Sequence, residues 1–435
     1  MLAEQLPQTH SDPNSQPPKP EFDYDLTIVG GGIVGATLAC ALKNSGLKVA
    51  IVESQLPAVT AARRQAYALT LLSGMILEGL GVWEEILPQI TTFPQINLCD
   101  GHDPGRVEFT RPDLGDPSQL AIPEKALGYV GEHGVLLTAL QRSLEECPNF
   151  SWVCPAEVVQ VEYKRDRVEI QVQIADEQDS QTTRTQILRT RLVVAADGAR
   201  SQIRQSAGIT THGWKYWQSC IAMTIKTEKP HHNIAYERFW PSGPMGVLPL
   251  PENRFQIVWT APHAEAKALQ ALDAKEFLAL LDRRLGHAFG QLELVSDRYL
   301  FPVQLMQSDR YALSRLVLVG DAAHCCHPVG GQGLNMGIRD AAAIAQILKA
   351  AHQNGEDIGD LKVLKRYESW RQTENLVILG FTDFLDRLFS NTWLPIVAFR
   401  RFALGCLRAI PWARFLALRV MTGLFGCPPE LAQRV

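Results

Sequence analysis

Residues 25–53 form one strand–turn–helix–strand pattern, and this pattern constrains the fold more than any other stretch of the chain. Residues 26–29 are a short apolar run bounded by glycines, which is typical of a buried parallel strand. Residues 30–35, with the sequence GGGIVG, have the form G-x-G-x-x-G. A helical pattern then leads to a second apolar strand, residues 48–52, which ends on Glu53. This order predicts the start of a dinucleotide-binding α/β fold.

Each part of the pattern has a physical role in binding a dinucleotide. Gly30 allows the tight turn, Gly32 lets the backbone approach a pyrophosphate, and Gly35 lets the helix sit close to the strand. The helix N-terminus carries unpaired N–H groups and a partial positive charge, which favour phosphate. Glu53 can accept hydrogen bonds from the adenosine ribose hydroxyls, which argues against a 2′-phosphorylated nucleotide. The choice therefore lies between NAD and FAD.

The totals exclude several classes of protein. At 435 residues the chain is long enough for two or three domains, and its net charge of −4 gives the whole protein no attraction to nucleic acid. Nine scattered cysteines without a C-x-x-C favour a reducing, cytoplasmic compartment. Residues 1–22 are rich in Pro, Gln and Ser, which predicts a disordered tail. The sequence lacks an apolar run of about eighteen residues, so we expect no membrane-spanning helix.

Two later stretches repeat the pattern of a strand that is followed by an acid or by a glycine-rich loop. Residues 316–319 predict a buried strand that ends in Gly320 and Asp321, and an acid at the carboxyl end of a parallel strand meets ligands there. Residues 327–335, HPVGGQGLN, are a glycine-rich loop that opens a helix over about residues 333–353. Such a loop presents backbone N–H donors, which would stabilise an anionic heterocycle such as a reduced flavin. NAD needs no second site of this kind.

Other periodic stretches predict further elements. Residues 66–83 and 267–285 carry apolar residues at helical spacing, and each stretch predicts one amphipathic helix. Residues 134–146 predict another helix. Residues 214–260 are rich in strand patterns, and a β-rich block inside an α/β chain predicts a separate sheet that covers the substrate.

At these motifs the chain resembles the class A flavoprotein monooxygenases of the aromatic-hydroxylase group, and more narrowly the ubiquinone-biosynthesis hydroxylases of the UbiH and COQ6 type. The motifs that carry the resemblance are the glycine fingerprint with Glu53, the DG pair Asp197-Gly198, the GD pair Gly320-Asp321 and the stretch HPVGGQGLNMGIRD at residues 327–340. The resemblance covers about residues 24–426.

The resemblance implies an α/β fold. This fold consists of a Rossmann-like FAD-binding domain of the glutathione-reductase type, similar to that of para-hydroxybenzoate hydroxylase, with an inserted β-sheet substrate domain and a helical C-terminus. The implied divisions are a disordered tail at 1–22, FAD-binding segments at 23–92, 124–210 and 298–365, substrate-domain segments at 93–123 and 211–297, and C-terminal helices at 366–435. The inserted sheet would lie over the flavin.

The resemblance also implies a reaction. FAD is bound noncovalently, NAD(P)H reduces it as a transient co-substrate, O2 adds, and a flavin C4a-hydroperoxide hydroxylates an electron-rich aromatic ring. The substrate would be a lipophilic, prenylated phenol or quinone precursor, and neither a metal nor a catalytic triad is expected. Two alternatives stay open at this point. One is an epoxidase or reductase acting on an isoprenoid alkene, and the other is a non-catalytic flavin-binding subunit of a quinone-biosynthesis complex.

The resemblance assigns roles to individual residues. Those expected to be catalytic, beside the reacting flavin ring, are Pro302, Gly330, Gly331 and Gln332. Those expected to bind the cofactor are Gly30, Gly32, Gly35, Glu53, Arg64, Asp197, Gly198, Gly320, Asp321, Pro328, Gly333, Leu334 and Asn335. The family usually places an arginine where this chain has Gln65. Arg63, Arg64 and Gln65 are therefore alternatives for meeting the flavin, and we favour Arg64.

Reactive side chains beside the glycine-rich loop have a structural interpretation. His324 and His327 are tempting proton shuttles, but packing is the favoured role. The pair Cys325-Cys326 is interpreted as small buried residues rather than as a redox centre.

Residues 393–426 are apolar, carry five arginines and no acid, and are divided into two predicted helices by Pro395 and Pro411. This mixture indicates either an interfacial helix pair lying on an anionic membrane or a helical dock on the flavin domain with arginines pointing outward. The expected partners are a small lipophilic aromatic substrate, no nucleic acid, and a membrane surface reached through 393–426. A biosynthetic complex and a homodimer are further alternatives.

Overall fold

The structure is a computed structural model and describes residues 22–100, 106–115, 126–175 and 183–433. The predicted disordered tail, except for Phe22, and parts of the predicted segments 93–123 and 124–210 lie outside the described residues.

The described residues form twenty strands and twelve helices. In chain order the strands are β1 Tyr24–Val29, β2 Val49–Val52, β3 Ala66–Thr70, β4 Thr91–Phe93, β5 Gln95–Asp100, β6 Arg106–Thr110, β7 Gly128–Glu132, β8 Phe150–Val153, β9 Ala156–Tyr163, β10 Val168–Ala175, β11 Thr183–Ala195, β12 Thr211–Thr227, β13 Ile234–Trp240, β14 Gly243–Leu250, β15 Arg254–Pro262, β16 Leu292–Leu294, β17 Tyr299–Ser308, β18 Ala312–Leu313, β19 Leu316–Leu318 and β20 His324–Cys325. The helices are α1 Ile33–Leu42, α2 Pro57–Ala61, α3 Leu71–Gly79, α4 Trp83–Ile86, α5 His133–Glu145, α6 Gln202–Ser206, α7 His263–Ala271, α8 Ala274–Leu285, α9 Gln332–Gln353, α10 Leu361–Phe389, α11 Leu394–Ala409 and α12 Pro411–Met421.

The first sheet has a parallel centre. Its path runs β18, β19, β11, β1, β2 and β8, and β10 and β9 continue from β11 as antiparallel strands. Val29 of β1 pairs with Val52 on one side and with Ala195 on the other, and Ala195 pairs with Leu318 of β19. The carboxyl ends of three neighbouring strands therefore meet at one edge of the sheet. This edge brings together the glycine fingerprint, the DG pair and the GD pair.

The second sheet covers that edge. Its order is β20, β17, β12, β15, β14, β13, β5 and β6, with β16 beside β12. Residues 95–100 join it because β5 pairs in parallel with β13, with Gln95 opposite Ile234. Alternate residues point to opposite faces, so Met245 and Trp259 pack with Phe277 of α8. The residues that alternate with these along β14 and β15 point to the opposite face, toward the first sheet, across a cavity described below.

Two predicted helices are wrong in part. Residues 66–70 are a strand, because they pair antiparallel with β7, and α3 begins only after Thr70, whose side chain accepts a hydrogen bond from the backbone N–H of Ser73 (3.3 Å). The stretch 267–285 is two helices, because Asp273 caps α8 through the backbone N–H of Glu276 (2.9 Å). In both places a capping side chain marks the start of a new helix, which apolar periodicity alone does not reveal.

The helix pair at the C-terminus is confirmed. Pro395 and Pro411 lie in the first turns of α11 and α12, where a missing N–H costs nothing. None of the helices in the described part of the chain combines the length and the apolarity that a membrane crossing demands.

The arginines of this helix pair do not all point outward, which corrects one detail of the docking alternative. Arg400 is 2% exposed and forms an ion pair with Asp100 of β5, with 2.9 Å between Nε and Oδ2. Arg414 pairs with Asp113 at 3.0 Å, and Arg419 donates to a backbone oxygen at 2.7 Å. The ion pairs of Arg400 and Arg414 fasten α11 and α12 to the rest of the molecule, whereas the bond of Arg419 stays within the C-terminal segment.

Candidate active site

The glycine fingerprint builds a cradle with space only at one point. Gly30 has φ of 109°, and a Cβ there would lie 2.4 Å from the backbone oxygen of Ala196. A Cβ on Gly35 would lie 2.0 Å from the backbone oxygen of Gly30, so α1 packs directly on the turn. A Cβ on Gly32 would meet no protein atom within 4 Å. This open space lies at the N-terminus of α1, where unpaired backbone N–H groups can donate hydrogen bonds to a pyrophosphate.

The carboxylate of Glu53 bonds to the fingerprint. Its Oε2 accepts a hydrogen bond from the backbone N–H of Gly31 (2.7 Å), and its Oε1 accepts one from the backbone N–H of Gln55 (3.1 Å). The acid is therefore held at the end of β2 by its own loop. Its contact with a ribose stays a prediction.

The DG pair and the GD pair are tied together by Arg204. This guanidinium is 6% exposed and donates to the backbone oxygens of Ala322 (2.8 Å) and Ala199 (3.0 Å). Asp197 accepts the backbone N–H of Ile203 through Oδ2 (3.3 Å), while its buried Oδ1 has no hydrogen-bond partner among the described residues. Because buried polar atoms are nearly always partnered, this oxygen indicates a donor from a ligand or from water.

The GD pair is held by a buried carboxylate, Asp340. Its oxygens accept four hydrogen bonds, from the backbone N–H of Gly320 (3.1 Å), Nε2 of His324 (2.6 Å), Nε of Arg371 (2.9 Å) and Nδ2 of Asn375 (3.0 Å). Burial opposes the charge, yet the contacts with His324 and Arg371 hold the pKa of Asp340 below its ordinary value. The turn at Gly320 is thereby fixed, and the next side chain, Asp321, lines the cavity.

The glycine-rich loop turns through two left-handed glycines, Gly330 (φ 69°) and Gly331 (φ 61°). Asn335 fastens it, because its Nδ2 donates to the backbone oxygens of Ala68 (2.8 Å) and Gly331 (2.7 Å) while its Oδ1 accepts the backbone N–H of Thr70 (2.8 Å). The loop and the N-terminus of α9 are therefore rigidly joined to β3.

The side chain of Gln332 also holds this loop in place. Its Nε2 donates to the backbone oxygens of Gly330 (3.1 Å) and Met421 (3.2 Å), and its Oε1 accepts from Arg339 (3.3 Å). The Gln332 side chain is 3% exposed, so it positions the loop and links it to α12.

One cavity of about 980 Å³ joins these motifs to the second sheet. Ten predicted site residues line it: Gly32, Gly198, Asp321, Pro328, Gly330, Gly331, Gln332, Gly333, Leu334 and Asn335. The cover comes from the second sheet and includes Ala222, Leu248, Val258 and Thr260. Five more predicted residues do not line the cavity themselves: Gly30, Gly35, Glu53, Asp197 and Gly320. The volume is at the upper end for ligand pockets, and the open space at Gly32 together with the partnerless Asp197 oxygen fits FAD.

Two further predicted residues, Arg64 and Pro302, also lie outside this lining. Arg64 lies in a separate cleft with Arg63 and Glu132, and Gln65, which borders that cleft too, also lines the large cavity. Gln65 is drawn inward because its backbone oxygen accepts the N–H of His133 (2.7 Å). Pro302 is exposed, since strand alternation turns it away from the face on which Phe301 lines the cavity. The structure thus brings Gln65 and Phe301 to the cavity, while the contact of any of these residues with a flavin stays a prediction.

Among the polar residues of the cavity that the sequence analysis missed are Tyr67, His133 and Glu237. Tyr67 donates to Oε1 of Gln65 (2.9 Å), and burial raises the pKa of Tyr67 to about 12. His133 lies beside Tyr67, and burial lowers the pKa of His133. Glu237 of β13 also lines the cavity. The assumption that 66–83 is one helix hid Tyr67, and nothing in the local pattern singles out Glu237.

The reactive side chains next to the loop have packed environments. His327 has 0% exposure and lies edge-on to the ring of Tyr216, and burial lowers the pKa of His327 to about 3. Burial raises the pKa of the Cys326 thiol to about 12, so the reactive thiolate is disfavoured. Within the described ranges, no group of three or more His, Cys, Asp or Glu side chains could hold a metal ion.

Comparison with known proteins places these features in a family. The model of the FAD binding domain family matches residues 23–374. The chain is 36% identical over 409 residues to the ubiquinone hydroxylase UbiL of Rhodospirillum rubrum, covering 93% of this chain and 91% of that protein. It is 31% identical over 408 residues to the 3-demethoxyubiquinol 3-hydroxylase of Escherichia coli, covering 92% and 98%.

A solved structure shares the fold. The p-nitrophenol 4-monooxygenase PnpA of Pseudomonas putida superposes with a TM-score of 0.76 at 20% identity, covering 93% of this chain and 99% of that chain. The predicted α/β architecture, with an inserted sheet and a helical C-terminus, is confirmed.

Proposed function

We propose, from the premise that this chain belongs to the FAD binding domain family and is an FAD-dependent monooxygenase of the ubiquinone-hydroxylase type, that its substrate is a lipophilic, prenylated phenol or quinone precursor. The enzyme adds one hydroxyl group to the aromatic ring of this substrate, using NAD(P)H and O2. The names of the two similar hydroxylases support a quinone precursor, and the shape of the cavity supports a long apolar tail.

The cavity carries this proposal because it continues past the flavin motifs into an apolar channel. The channel runs between the last three helices and is lined by Phe381, Phe384, Leu385, Leu388, Phe399, Phe402, Ala403, Leu407, Ala413 and Ala417. A ring placed beside Gly330 would leave its tail in this channel. Each CH2 group of a tail that leaves water there contributes about 0.8 kcal/mol to binding.

The residues of the chain bind, orient and exclude water. FAD, when bound and reduced by NAD(P)H, supplies the activated oxygen. Gly32 and Asp321 would hold its pyrophosphate and its polyol chain, and the loop fastened by Asn335 would hold its ring. Ala222 and Leu248 line the cavity with apolar surface, which would keep water away from the activated oxygen.

A bulky residue in the channel tests the tail-binding role. We expect Ala403→Trp to lower kcat/KM for a prenylated phenol about tenfold or more, and to change turnover of the same phenol without its chain much less. Ala398→Trp is the matched control, because it adds the same bulk to α11 at an exposed position outside the channel.

Two results would contradict the proposal. One is an equal effect of Ala403→Trp on both phenols. The other is a product changed at an alkene of the chain rather than at the ring, which would identify the alkene-acting alternative.

We also propose that α11 and α12 lie on an anionic membrane surface from which the substrate enters the channel. Large apolar side chains are exposed there, including Leu394 (78%), Phe402 (71%) and Trp412 (69%), and Arg401 is exposed among them. Aromatic residues with nearby cations are the composition of interfacial helices. The continuity of the channel with this surface supports the same role.

Vesicle binding tests the membrane proposal. The holoenzyme is expected to co-sediment with anionic phospholipid vesicles at low salt, and the double variant Phe402→Ser, Trp412→Ser is expected to lose most of this binding. Val159→Ser, which removes an exposed apolar residue of β9, is the matched control and should bind as the wild type does. Co-sedimentation unchanged by the double variant would refute the assignment of this surface.

A further inference from the structure

Glu237 brings a carboxylate into the cavity beside the glycine-rich loop. It lies on β13, between Gly246 of β14 and Leu98 of β5, and its side chain lines the cavity. Its Oε2 accepts a long hydrogen bond from the backbone N–H of Gly330, at 3.4 Å. Since that loop is expected to hold the flavin ring, the carboxylate lies where the substrate ring would meet it.

The surroundings of this carboxylate leave its charge uncompensated. Among the described residues, no Lys, Arg or His forms an ion pair with Glu237. The adjacent Arg238 is turned to the other face, where it donates to the backbone oxygen of Arg284 (3.2 Å). The charge of Glu237 acts on the Cys220 thiol of β12, whose pKa is raised by burial and, in smaller part, by Glu237.

Burial raises the pKa of Glu237 to about 7, and the hydrogen bond from Gly330 opposes this rise only in part. A carboxylate that titrates near neutral pH is well matched to accept a proton in catalysis. If Glu237 served only to hold Gly330, an amide would accept the same hydrogen bond without the cost of burying a charge.

We propose that Glu237 accepts the proton of the ring hydroxyl of the substrate during hydroxylation. This inference rests on the proposed function. The proton leaves the phenol oxygen for a carboxylate oxygen of Glu237, which raises the electron density of the ring carbon that forms the new C–O bond. One oxygen atom of O2 enters that bond, and the other leaves as water with the two electrons of NAD(P)H. The ring then loses its displaced hydrogen as a proton, and Glu237 returns its own proton to the phenol oxygen.

Glu237→Gln is the direct test, because Gln keeps the size of the side chain and the acceptor for Gly330. We expect product formation to fall roughly 10²- to 10⁴-fold, the usual contribution of a general base, and the yield of product per NAD(P)H consumed to fall as well. In the wild type, product formation should decline as the pH falls through about 7, since the base must be ionised. This acidic limb should be absent from the residual activity of the variant.

Two controls separate a proton acceptor from a structural residue. A fluorinated phenol that is already ionised at the assay pH needs no base, so Glu237→Gln should slow its hydroxylation far less. Glu293→Gln, at an exposed position of β16 in the same sheet, should leave yield and pH profile as in the wild type.

A binding measurement gives a readout that needs no turnover. An alkyl-chained nitrophenol, whose phenolate absorbs visible light, is titrated with pH while bound to the holoenzyme without NAD(P)H. Next to a carboxylate the phenolate is repelled, so the bound probe should ionise about one pH unit or more higher in the wild type than in Glu237→Gln. Glu237→Asp, with a shorter reach, should give an intermediate shift.

The outcomes distinguish this inference from the proposed function. If the wild type hydroxylates phenols and Glu237→Gln leaves the yield, the pH profile and the probe titration unchanged, the role of Glu237 is refuted and the proposed function stands. If the wild type hydroxylates no phenol, the proposed function fails, and the probe titration still reports whether Glu237 meets a phenol oxygen. A flavin absorption spectrum equal to that of the wild type verifies that each variant is folded and loaded.

Discussion

Asp340→Asn should destabilise the protein and weaken its hold on FAD at the same time. The carboxylate is fully buried and is the acceptor for four donors, two of which are the side chains of Arg371 and His324. Arg371 is itself 1% exposed, so the substitution leaves a buried guanidinium without its main counter-charge. It also places an N–H donor of the new amide among groups that all donate.

The expected cost follows from this geometry. Removing one partner of a buried ion pair destabilises a protein by about 3–5 kcal/mol, whereas the total stability of a domain is about 5–15 kcal/mol. Arg371 keeps contacts with Glu374 and Asn375, which places the cost toward the lower end. The Gly320 turn loses its anchor as well, so the FAD dissociation constant should rise.

Urea unfolding followed by circular dichroism measures the first effect, and recovery of flavin fluorescence on release of FAD measures the second. Glu356→Gln is the matched control, because it breaks an exposed ion pair with Arg366, and exposed ion pairs contribute little. The pKa of Asp340 is depressed in the folded state, so its contribution is present above the ordinary carboxyl pKa and is lost as the pH falls. The difference between wild type and variant should therefore shrink on acidification.

Equal urea midpoints for Asp340→Asn and Glu356→Gln would refute this account of the network. So would a stability loss without any change in FAD release, because the same carboxylate anchors the Gly320 turn.

Three further predictions address the fingerprint, the C-terminal dock and the buried histidine. Gly32→Ala should unfold at the same urea concentration as the wild type but bind FAD more weakly, because the added Cβ enters space that is open to a ligand. Gly35→Ala should lose both stability and FAD binding, because the added Cβ would lie 2.0 Å from a backbone oxygen. Arg400→Met should lower the urea midpoint by the equivalent of about 3–5 kcal/mol, because it strips Asp100 of a buried partner, and adding Asp100→Leu should recover part of the loss. The free energy of unfolding should fall as the pH falls from about 6.5 toward 3, because His327 binds a proton in the unfolded chain but not when it is buried. His327→Gln should flatten this part of the plot of urea midpoint against pH.

Local motifs were enough to predict the parts of the site that backbone geometry dictates. At Gly30 and Gly35 a Cβ would meet backbone atoms, so the spacing of these two glycines predicts the tight turn directly, and Gly32 between them leaves the open space. The GD pair and the glycine-rich loop were found for the same reason, since a strand followed by an acid or by glycines places them at the sheet edge. The second sheet contains pairings that no local pattern reveals, such as that of β5 with β13.

The remaining site residues depend on contacts between distant segments. Glu237 becomes a cavity residue only because β13 lies opposite Gly330, and the two are 93 residues apart. Gln65 replaces Arg64 at the cavity because its backbone bonds to His133, another distant contact. The sequence alone indicates a surface position for Arg400, whereas the fold buries this side chain beside Asp100. Such pairings follow from tertiary packing, and a single sequence carries no signal for them.

The most direct test of the central claim is to supply the FAD-loaded enzyme with NAD(P)H, a prenylated phenol and isotopically heavy O2, and to analyse the product by mass spectrometry. We predict a product that carries one heavy oxygen atom, located on the aromatic ring by fragmentation. Heavy oxygen on the prenyl chain, or its recovery only in water and hydrogen peroxide with the phenol unchanged, would contradict the account.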